Sequence, residues 1–335
     1  MSGGLVLSYK CSAACRHCLY ACGPKWPADW IADADLEAIL AQLAPHIRPA
    51  RGGPDAIDLS LGLHFTGGEP FLNVERLERA VAVAADLGIP STFVETNGFW
   101  CRDDASTRDT LRRLAARGLK GVMISVNPYY LEFVPFERTE RAIRIGFEVF
   151  GDNTAVYQAA YDRQFRALGI RGTVPLEDYR RMEAERGGAG NVELLLMGRA
   201  PFRIAAAGDP SRPRLPAARL AAGPCPWELL RPWHNHWDNY GNTMPGYCGG
   251  ISLGDCRRLD ALLEAGIDTE ERPVLGYLAR DDMAGLLAFA GARGYAERPE
   301  GYLSKCHLCA DLRRHLVAVD DFAELQPKAF YENLE

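Results

Sequence analysis

Short apolar segments alternate with amphipathic segments between residues 4 and 196. The apolar segments predict six β-strands, and a segment of helical periodicity follows each of the first four. The predicted strands cover residues 4–9, 61–65, 92–94, 121–126, 154–158 and 192–196. Nearly continuous apolar strands that alternate with helices are typical of a parallel sheet whose faces are covered. The pattern therefore predicts an α/β fold, which we interpret as a partial (β/α)6 TIM-type barrel.

Helix signals follow the predicted strands. Asp35 and Asn73 are N-cap candidates, and each precedes apolar residues at helical spacing. The third helix is expected to end at Gly118, and the fourth covers residues 139–150. A further helix is predicted over residues 176–186, where Arg and Glu are abundant, so we expect it to present a solvated face.

Polar or glycine-containing segments directly follow the first four predicted strands. They are residues 11–18, 67–70 and 96–98, together with Asn127. Functional groups of β/α barrels lie at the carboxyl ends of the strands. We therefore expect these segments to lie on one rim of the barrel.

The alternation of strands and helices stops after Ala200. Residues 206–223 are rich in Ala, Pro and Arg and are typical of a linker. The region beyond contains a segment, residues 236–255, that predicts a β-hairpin with a Gly-Asn turn. We therefore divide the chain into a core domain of residues 1–205 and a small C-terminal cysteine-rich β-hairpin and helix domain of residues 206–335.

Composition narrows the choice of partners and compartment. The 38 basic and 44 acidic residues give a net charge of −6, which provides no general attraction to nucleic acid or to anionic membranes. No apolar stretch approaches the roughly 20 residues that span a bilayer, and the N-terminus does not resemble a signal peptide. We expect a cytoplasmic protein, in which the 10 cysteines are better explained as metal ligands than as disulfides.

Three cysteines, Cys11, Cys15 and Cys18, stand close together after the first predicted strand. A 4Fe-4S cluster has four irons, so three thiolates leave one iron open to another ligand. A zinc site is the alternative, although zinc in proteins is usually bound by four ligands in two close pairs. Cys22 lies just beyond the three and is a further candidate ligand.

The spacing C-x3-C-x2-C after the first strand, with the GGEP run at residues 67–70, resembles the radical S-adenosylmethionine (SAM) superfamily. The resemblance implies that Cys11, Cys15 and Cys18 bind a 4Fe-4S cluster whose open iron binds SAM. It also implies that an electron from a reductant such as flavodoxin or ferredoxin cleaves SAM to methionine and a 5′-deoxyadenosyl radical. The family leaves a cysteine at the position of Cys22 unligated, so we interpret Cys22 as a free or buried thiol.

The resemblance further implies a set of residues that contact SAM at the ends of the strands. The glycines of the GGEP run allow close approach to the methionine end of SAM, and the acidic side chain accepts a hydrogen bond from its amino group. For the polar residues after the third and fourth strands, a turn or a structural cap is the alternative. The predicted SAM-binding residues are Gly67, Gly68, Glu69, Asn97, Ser125, Asn127, Met197 and Gly198.

Four cysteines of the second region predict an auxiliary cluster. A C-x2-C pair follows two separate cysteines that flank the predicted hairpin, which resembles the SPASM extension of radical SAM enzymes or its shorter twitch form. A full SPASM domain usually has about seven cysteines for two clusters, whereas this region has five, so the single-cluster twitch form fits better. The predicted ligands of this auxiliary 4Fe-4S cluster are Cys225, Cys248, Cys306 and Cys309.

Several reactive side chains remain outside these sets. Cys101 and Cys256 are candidates for a hydrogen-atom donor that quenches a substrate radical, and the alternative for both is a packed thiol. His234 and His236 alternate along one arm of the hairpin and would share a face. With four cysteines already assigned, we interpret the two histidines as packing or substrate-contacting residues.

These motifs predict the cofactors without the substrate. Relatives with this layout modify peptides or oxidise and epimerise sugar-derived alcohols and aminocyclitols. We expect a peptide or protein side chain as the substrate, with a small-molecule dehydrogenase or epimerase as the alternative. A zinc-binding protein without catalytic activity is the alternative of another class.

Overall fold

A computed structural model describes residues 1–187, 194–204, 213–222, 229 and 233–335. The chain divides into two compact units, Met1–Cys15 with Gly23–Glu193, and Arg16–Cys22 with Leu194–Glu335. The boundary passes twice through the cysteine-rich segment near the N-terminus, so Cys15 belongs to the first unit and Cys18 to the second.

Five parallel strands form the sheet of the first unit. Each strand pairs with the next one in the sequence, as Leu5 with Phe65, Phe65 with Val94, and Val94 with Val122. The predicted parallel α/β architecture is confirmed. The strands are β1 (Ser2–Val6), β2 (Leu63–Thr66), β3 (Thr92–Thr96), β4 (Gly121–Ser125) and β5 (Thr154–Tyr157).

Helices connect the strands of this sheet. Asn73 caps α2 as predicted, because its side chain accepts a hydrogen bond from the backbone N–H of Arg76 at 3.0 Å. Asp35 is not a cap: α1 begins at Asp33 after Ala32, which makes no side-chain capping bond. The helices are α1 (Asp33–Leu43), α2 (Val74–Asp86), α3 (Asp104–Ala116), α4 (Pro128–Leu131), α5 (Phe136–Phe150), α6 (Ala159–Ala167) and α7 (Leu176–Arg186).

The α5 helix defines which face of the sheet the helices cover. A Cβ atom on Gly146 of α5 would lie 3.3 Å from Cγ1 of Val122 and 2.9 Å from Cγ2 of Thr154. Side chains alternate between the two faces of a strand. Through the strand register, Phe65 and Val94 share the helix-covered face with Val122, and their neighbours along each strand lie on the opposite face.

The sixth predicted strand is not found over the described part of its range. Residues 194–196 have no strand pairing, and residues 192 and 193 lie outside the described residues. The backbone oxygen of Leu196 instead accepts a hydrogen bond from the Ser304 hydroxyl at 3.1 Å. The described part of this apolar run, residues 194–196, therefore forms no strand. Its Leu196 oxygen bonds to a side chain that is distant in sequence, and a local apolar pattern does not reveal such a partner.

The second unit contains the predicted hairpin, formed by β6 (His234–Asp238) and β7 (Thr243–Met244). The strands are antiparallel, with His236 opposite Met244. Asp238 closes the turn, since its Oδ1 atom accepts hydrogen bonds from the backbone N–H groups of Tyr240 at 3.0 Å and Asn242 at 2.8 Å.

Short helices make up most of the remainder of the second unit. The predicted linker contains one of them, α9, while residues 206–212 and 223 lie outside the described residues. No helix in the described ranges is long and apolar enough to cross a membrane. The helices are α8 (Ala200–Arg203), α9 (Ala217–Leu220), α10 (Leu259–Ala265), α11 (Pro273–Ala279), α12 (Met283–Gly291), α13 (Lys305–Val319) and α14 (Ala329–Glu332).

Candidate functional site

The backbone after β1 is held where the cysteine-rich segment begins. The N–H of Cys11 donates to the oxygen of Gly23 at 3.2 Å, and the N–H of Gly23 donates to the oxygen of Tyr9 at 3.2 Å. The ring of Tyr9 stacks on Trp26 with centroids 4.4 Å apart. The first cysteine is therefore fixed at the carboxyl end of β1 by backbone bonds and by a buried aromatic pair.

Cys11 and Cys15 are buried cysteines of the first unit. The Nδ2 atom of Asn97 lies 3.9 Å from the sulfur of Cys11 and donates to the Ser12 hydroxyl at 3.1 Å. An amide N–H directed at a sulfur suits a thiolate, which is the form of cysteine that binds metal. The environment of Cys11 therefore fits its predicted role as a cluster ligand.

Cys18, in the second unit, is also prepared for ligation. Its sulfur accepts a hydrogen bond from the backbone N–H of Cys22 at 3.3 Å. Hydrogen bonding from the Cys22 side chain is the largest cause that lowers the pKa of Cys18 to about 6, with a smaller contribution from the Arg199 guanidinium. A depressed thiol pKa favours the thiolate.

Arg199 and Gly198 fix the segment that carries Cys18 and Cys22. Arg199 donates from its guanidinium to the oxygen of Cys22 at 2.9 Å and from its backbone N–H to the oxygen of Cys18 at 3.0 Å. A Cβ on Gly198 would lie 2.3 Å from the oxygen of Leu19. Gly198 and its neighbour Met197 were predicted to contact SAM; in the described geometry Gly198 allows close backbone packing, and the SAM contact stays a prediction.

The glycine pair after β2 packs against the backbone that leads into the cysteines. The N–H of Gly68 donates to the oxygen of Ser8 at 2.8 Å, and the N–H of Glu69 donates to the oxygen of Lys10 at 3.0 Å. A Cβ on Gly68 would lie only 2.0 Å from the oxygen of Lys10, and Gly67 has a φ of +129°. Both positions therefore require glycine.

The Glu69 side chain is buried and connects the loop after β2 to the loop after β3. It is 1% exposed, and its carboxylate accepts hydrogen bonds from the Thr96 hydroxyl at 2.9 Å and the Asn97 N–H at 2.8 Å. Burial raises the pKa of Glu69 to about 7, against the opposing effect of these hydrogen bonds. The sequence predicted a SAM contact here, which stays a prediction; the structure adds a bracing role.

Aromatic packing fixes the loop after β3. The rings of Phe71 and Trp100 stack with centroids 4.0 Å apart, and the indole N–H of Trp100 donates to Thr96 at 3.0 Å. The Oδ1 atom of Asn97 accepts from the N–H of Phe99 at 2.9 Å. This loop therefore holds the Asn97 amide in the orientation that directs its N–H groups at Cys11.

Asn127, after β4, caps the N-terminus of α4, as the structural-cap alternative expected. Its Oδ1 accepts from the N–H groups of Tyr129 and Tyr130, both at 3.1 Å, at the start of α4. Its Nδ2 donates to Gln158 at 3.1 Å, which links the ends of β4 and β5. Ser125 is buried at the end of β4. Contacts of Ser125 and Asn127 with SAM stay predictions.

A polar group that the sequence analysis missed lies on the face of the sheet opposite α5. The Nε2 atom of His64 is 3.3 Å from Oε1 of Glu95, and the Thr66 hydroxyl donates to Oε2 of Glu95 at 2.7 Å. Burial raises the pKa of Glu95 to about 7. The signal was present in the sequence, because His64, Thr66 and Glu95 are polar at alternate positions of otherwise apolar strands.

The described cysteines of the predicted auxiliary cluster lie on two segments of the second unit. Cys306 and Cys309 are in the first turns of α13, and Cys248 follows β7. Arg313, also on α13, donates to the oxygen of Gly249 at 2.9 Å and so joins the helix to the loop of Cys248. Cys225 lies outside the described residues.

Cys101 and Cys256 occupy interior positions. Both thiols are fully buried, and burial raises the pKa of Cys101 to about 12 and that of Cys256 well above its ordinary value. Arg141 of the helix layer donates to the backbone oxygen of Cys101 at 2.8 Å. These surroundings suit the packed-thiol alternative, and the hydrogen-donor role of either residue stays a prediction.

His234 and His236 are part of an aromatic group within the second unit. Their rings are 5.2 Å apart and nearly perpendicular, and the ring of Tyr20 lies 5.1 Å from that of His236. The Nδ1 atom of His236 is 3.1 Å from the oxygen of Gly246. These contacts agree with the packing role expected for the pair.

Comparison with known proteins found no matching protein-family profile and no curated relative. Among solved structures, the chain is similar to BtrN in complex with AdoMet and 2-DOIA, at 11% identity and a TM-score of 0.46 over 86% of this chain and 89% of that chain. It is also similar to native anSMEcpe with bound AdoMet, at 13% identity and a TM-score of 0.45 over 100% of this chain and 96% of that chain. Native anSMEcpe with bound AdoMet and the Cp18Cys peptide gives 13% identity and a TM-score of 0.44 over 99% of this chain and 95% of that chain. At these identities and scores, the assignment of function rests on the residues of this chain.

Proposed function

We propose that this protein is a radical SAM enzyme. The proposal rests chiefly on the cysteine segment after β1. The backbone that leads into this segment accepts hydrogen bonds from the N–H groups of Gly68 and Glu69. The spacing of Cys11, Cys15 and Cys18 supplies three thiolates, and the Asn97 amide and the Cys22 N–H donate to two of them. A neutral packed thiol requires neither donor, whereas a cluster ligand is stabilised by both.

When bound, the 4Fe-4S cluster and SAM supply a 5′-deoxyadenosyl radical that takes a hydrogen atom from the substrate. The residues of this chain position and shield that chemistry. Gly67 and Gly68 keep the loop after β2 against the loop after β1. Glu69 fixes the loop after β3 to the loop after β2. The rim of the sheet is thereby made rigid before any ligand binds, which reduces the cost of ordering it.

We also propose that Cys225, Cys248, Cys306 and Cys309 bind an auxiliary 4Fe-4S cluster. The support comes from α13, which carries Cys306 and Cys309 one turn apart and is tied through Arg313 to the loop of Cys248. The four cysteines would supply thiolates from separate segments of the chain. A cluster bound in this way joins those segments and so stabilises a small domain. The domain division at residues 205 and 206 belongs to this proposal.

For the substrate, we propose a peptide or protein side chain, modified by hydrogen abstraction. The support is the cysteine-flanked hairpin, which resembles that of peptide-modifying relatives. The His64, Thr66 and Glu95 group favours a second candidate, a hydroxyl- or amine-bearing small molecule such as an aminocyclitol, because it offers two buried polar side chains and the half-buried Glu95 on the face of the sheet opposite α5. Transfer of deuterium from a labelled candidate into 5′-deoxyadenosine distinguishes the two classes.

Iron and sulfide content tests the proposed clusters. We expect anaerobically reconstituted protein to be brown and to bind about eight irons per chain, as two 4Fe-4S clusters require. Cys11→Ala should remove about four of them, whereas the matched control Cys22→Ser, which keeps a side-chain hydrogen-bond donor beside Cys18, should retain all. A colourless protein that contains zinc without sulfide would instead establish the non-catalytic alternative.

A further inference from the structure

Arg313 is a buried cation on the helix that carries two of the proposed auxiliary ligands. It is 5% exposed and lies four residues after Cys309 in α13. Residues four apart in a helix are neighbours on one face. The guanidinium and the sulfur of Cys309 therefore share a side of α13.

In the described part of the chain, Arg313 forms its hydrogen bonds with neutral oxygen atoms. One guanidinium nitrogen donates to the oxygen of Gly249 at 2.9 Å and contacts the Tyr331 hydroxyl at 3.0 Å. Among the described residues, the Nε atom of Arg313 has no hydrogen-bond partner, and Asp311 on the same helix is paired with Arg298. A phenol is neutral at neutral pH. Burying an uncompensated charge is costly, so an anion is needed nearby.

Glu324 is a buried acidic residue that acts on Tyr331, the residue whose hydroxyl contacts Arg313. Its Oε1 atom accepts a hydrogen bond from the N–H of Val274 at 2.9 Å, and it interacts electrostatically with Tyr331. It forms no ion pair with Arg313 in the described structure. The anion that balances Arg313 must therefore be sought among the other side chains in its surroundings.

Cys248 and Cys309 are those side chains. Cys309 lies one turn before Arg313 on the same helix, and the guanidinium interacts electrostatically with both cysteines. Gly249, which accepts from Arg313, is the residue after Cys248, so the two cysteines are held on either side of one cation. Neutral thiols would leave the charge uncompensated, whereas metal-bound cysteines are thiolates.

We propose that Arg313 is the counter-charge of the auxiliary cluster and holds its reduction potential above the value that the thiolate ligands alone would give. A fixed positive charge stabilises the reduced cluster more than the oxidised one, because reduction adds a negative charge. Arg313 acts through the ligands as a positioning and tuning residue. The inference rests on the proposed auxiliary cluster.

The test is an EPR-monitored redox titration of reconstituted full-length protein, with iron and sulfide measured on each sample. In Arg313→Gln, we expect the reduction equilibrium of the auxiliary cluster to change at least tenfold toward the oxidised form, a shift of about 59 mV to lower potential for one electron. The cluster bound by Cys11, Cys15 and Cys18 serves as an internal reference and should not shift. Arg313→Lys keeps the charge and should remain near the wild-type potential.

Tyr331→Phe is the matched packing control, since it removes a partner of Arg313 without a change of charge. Loss of the auxiliary cluster in Arg313→Gln, with retention in Arg313→Lys and Tyr331→Phe, would also support the proposal. Unchanged potentials in Arg313→Gln at full iron content would overturn it and leave the proposed cluster intact. Only about four irons in the wild type would overturn the auxiliary cluster and this inference together.

Discussion

At the scale of single residues, Glu69 gains a structural role that the sequence did not predict. The resemblance predicts a contact of its carboxylate with SAM, which stays a prediction, and the structure gives that carboxylate hydrogen-bond donors from Thr96, Asn97 and Phe71. The sequence could predict the glycines and the acid as a unit after β2. It could not predict Thr96 and Asn97 as partners of the acid, because they lie about one β-α unit away in the chain.

The raised pKa of Glu69 makes a prediction about stability. Its pKa is about 7 in the folded protein and 4.5 for an unperturbed side chain, so ionisation on raising the pH is opposed by the fold. Stability from this group is present below pH 4.5 and is lost as the pH rises through 7. Between pH 5.5 and 8 the free energy of unfolding should fall by about 2 kcal/mol more in the wild type than in Glu69→Gln.

Urea titration of anaerobically purified protein, followed by tryptophan fluorescence at the two pH values, measures this difference. Glu185→Gln is the control, since Glu185 is exposed on α7 and water solvates its carboxylate in the folded and unfolded states. Parallel pH dependence in the wild type and Glu69→Gln would show that Glu69 is ionised without cost in the fold.

At the scale of elements, the first five strands could be predicted to within a few residues from apolar runs. Asn73 could be predicted as a cap from its position before a helical pattern. The failures involve contacts distant in sequence, such as the Ser304 hydroxyl that bonds to Leu196 in place of a strand partner. Arg199 and Arg313 were likewise missed, because their partners lie on other segments of the second unit.

The contact of the β2 loop with the β1 loop predicts the effect of a single methyl group. Gly68→Ala would place a Cβ 2.0 Å from the oxygen of Lys10, so the backbone that leads to Cys11 must move. We expect the variant to lose about four irons per chain. Gly291→Ala is the control, since a Cβ there meets nothing within 4 Å. Full iron content in Gly68→Ala would contradict the role given to this contact.

At the scale of the whole molecule, the sequence carries two groups of cysteines, one after β1 and one in the C-terminal region. The cysteine positions could be found from spacing alone. Their surroundings could not, because the donors to the thiolates and the buried cation come from residues that no local motif marks. The substrate is the least predictable part, since the sequence marks His64 and Glu95 only as polar residues in apolar strands, and their pairing depends on the alignment of β2 with β3.

Cleavage of SAM is the measurement that tests the central claim most directly. Reconstituted protein, reduced with dithionite and supplied with SAM, should form 5′-deoxyadenosine and methionine, detected by mass spectrometry, while Cys11→Ala should form neither. Cys22→Ser, which keeps a side-chain donor beside Cys18, should retain the activity. If protein with its full iron and sulfide content forms no 5′-deoxyadenosine with substrate candidates of both classes present, the assignment as a radical SAM enzyme is contradicted.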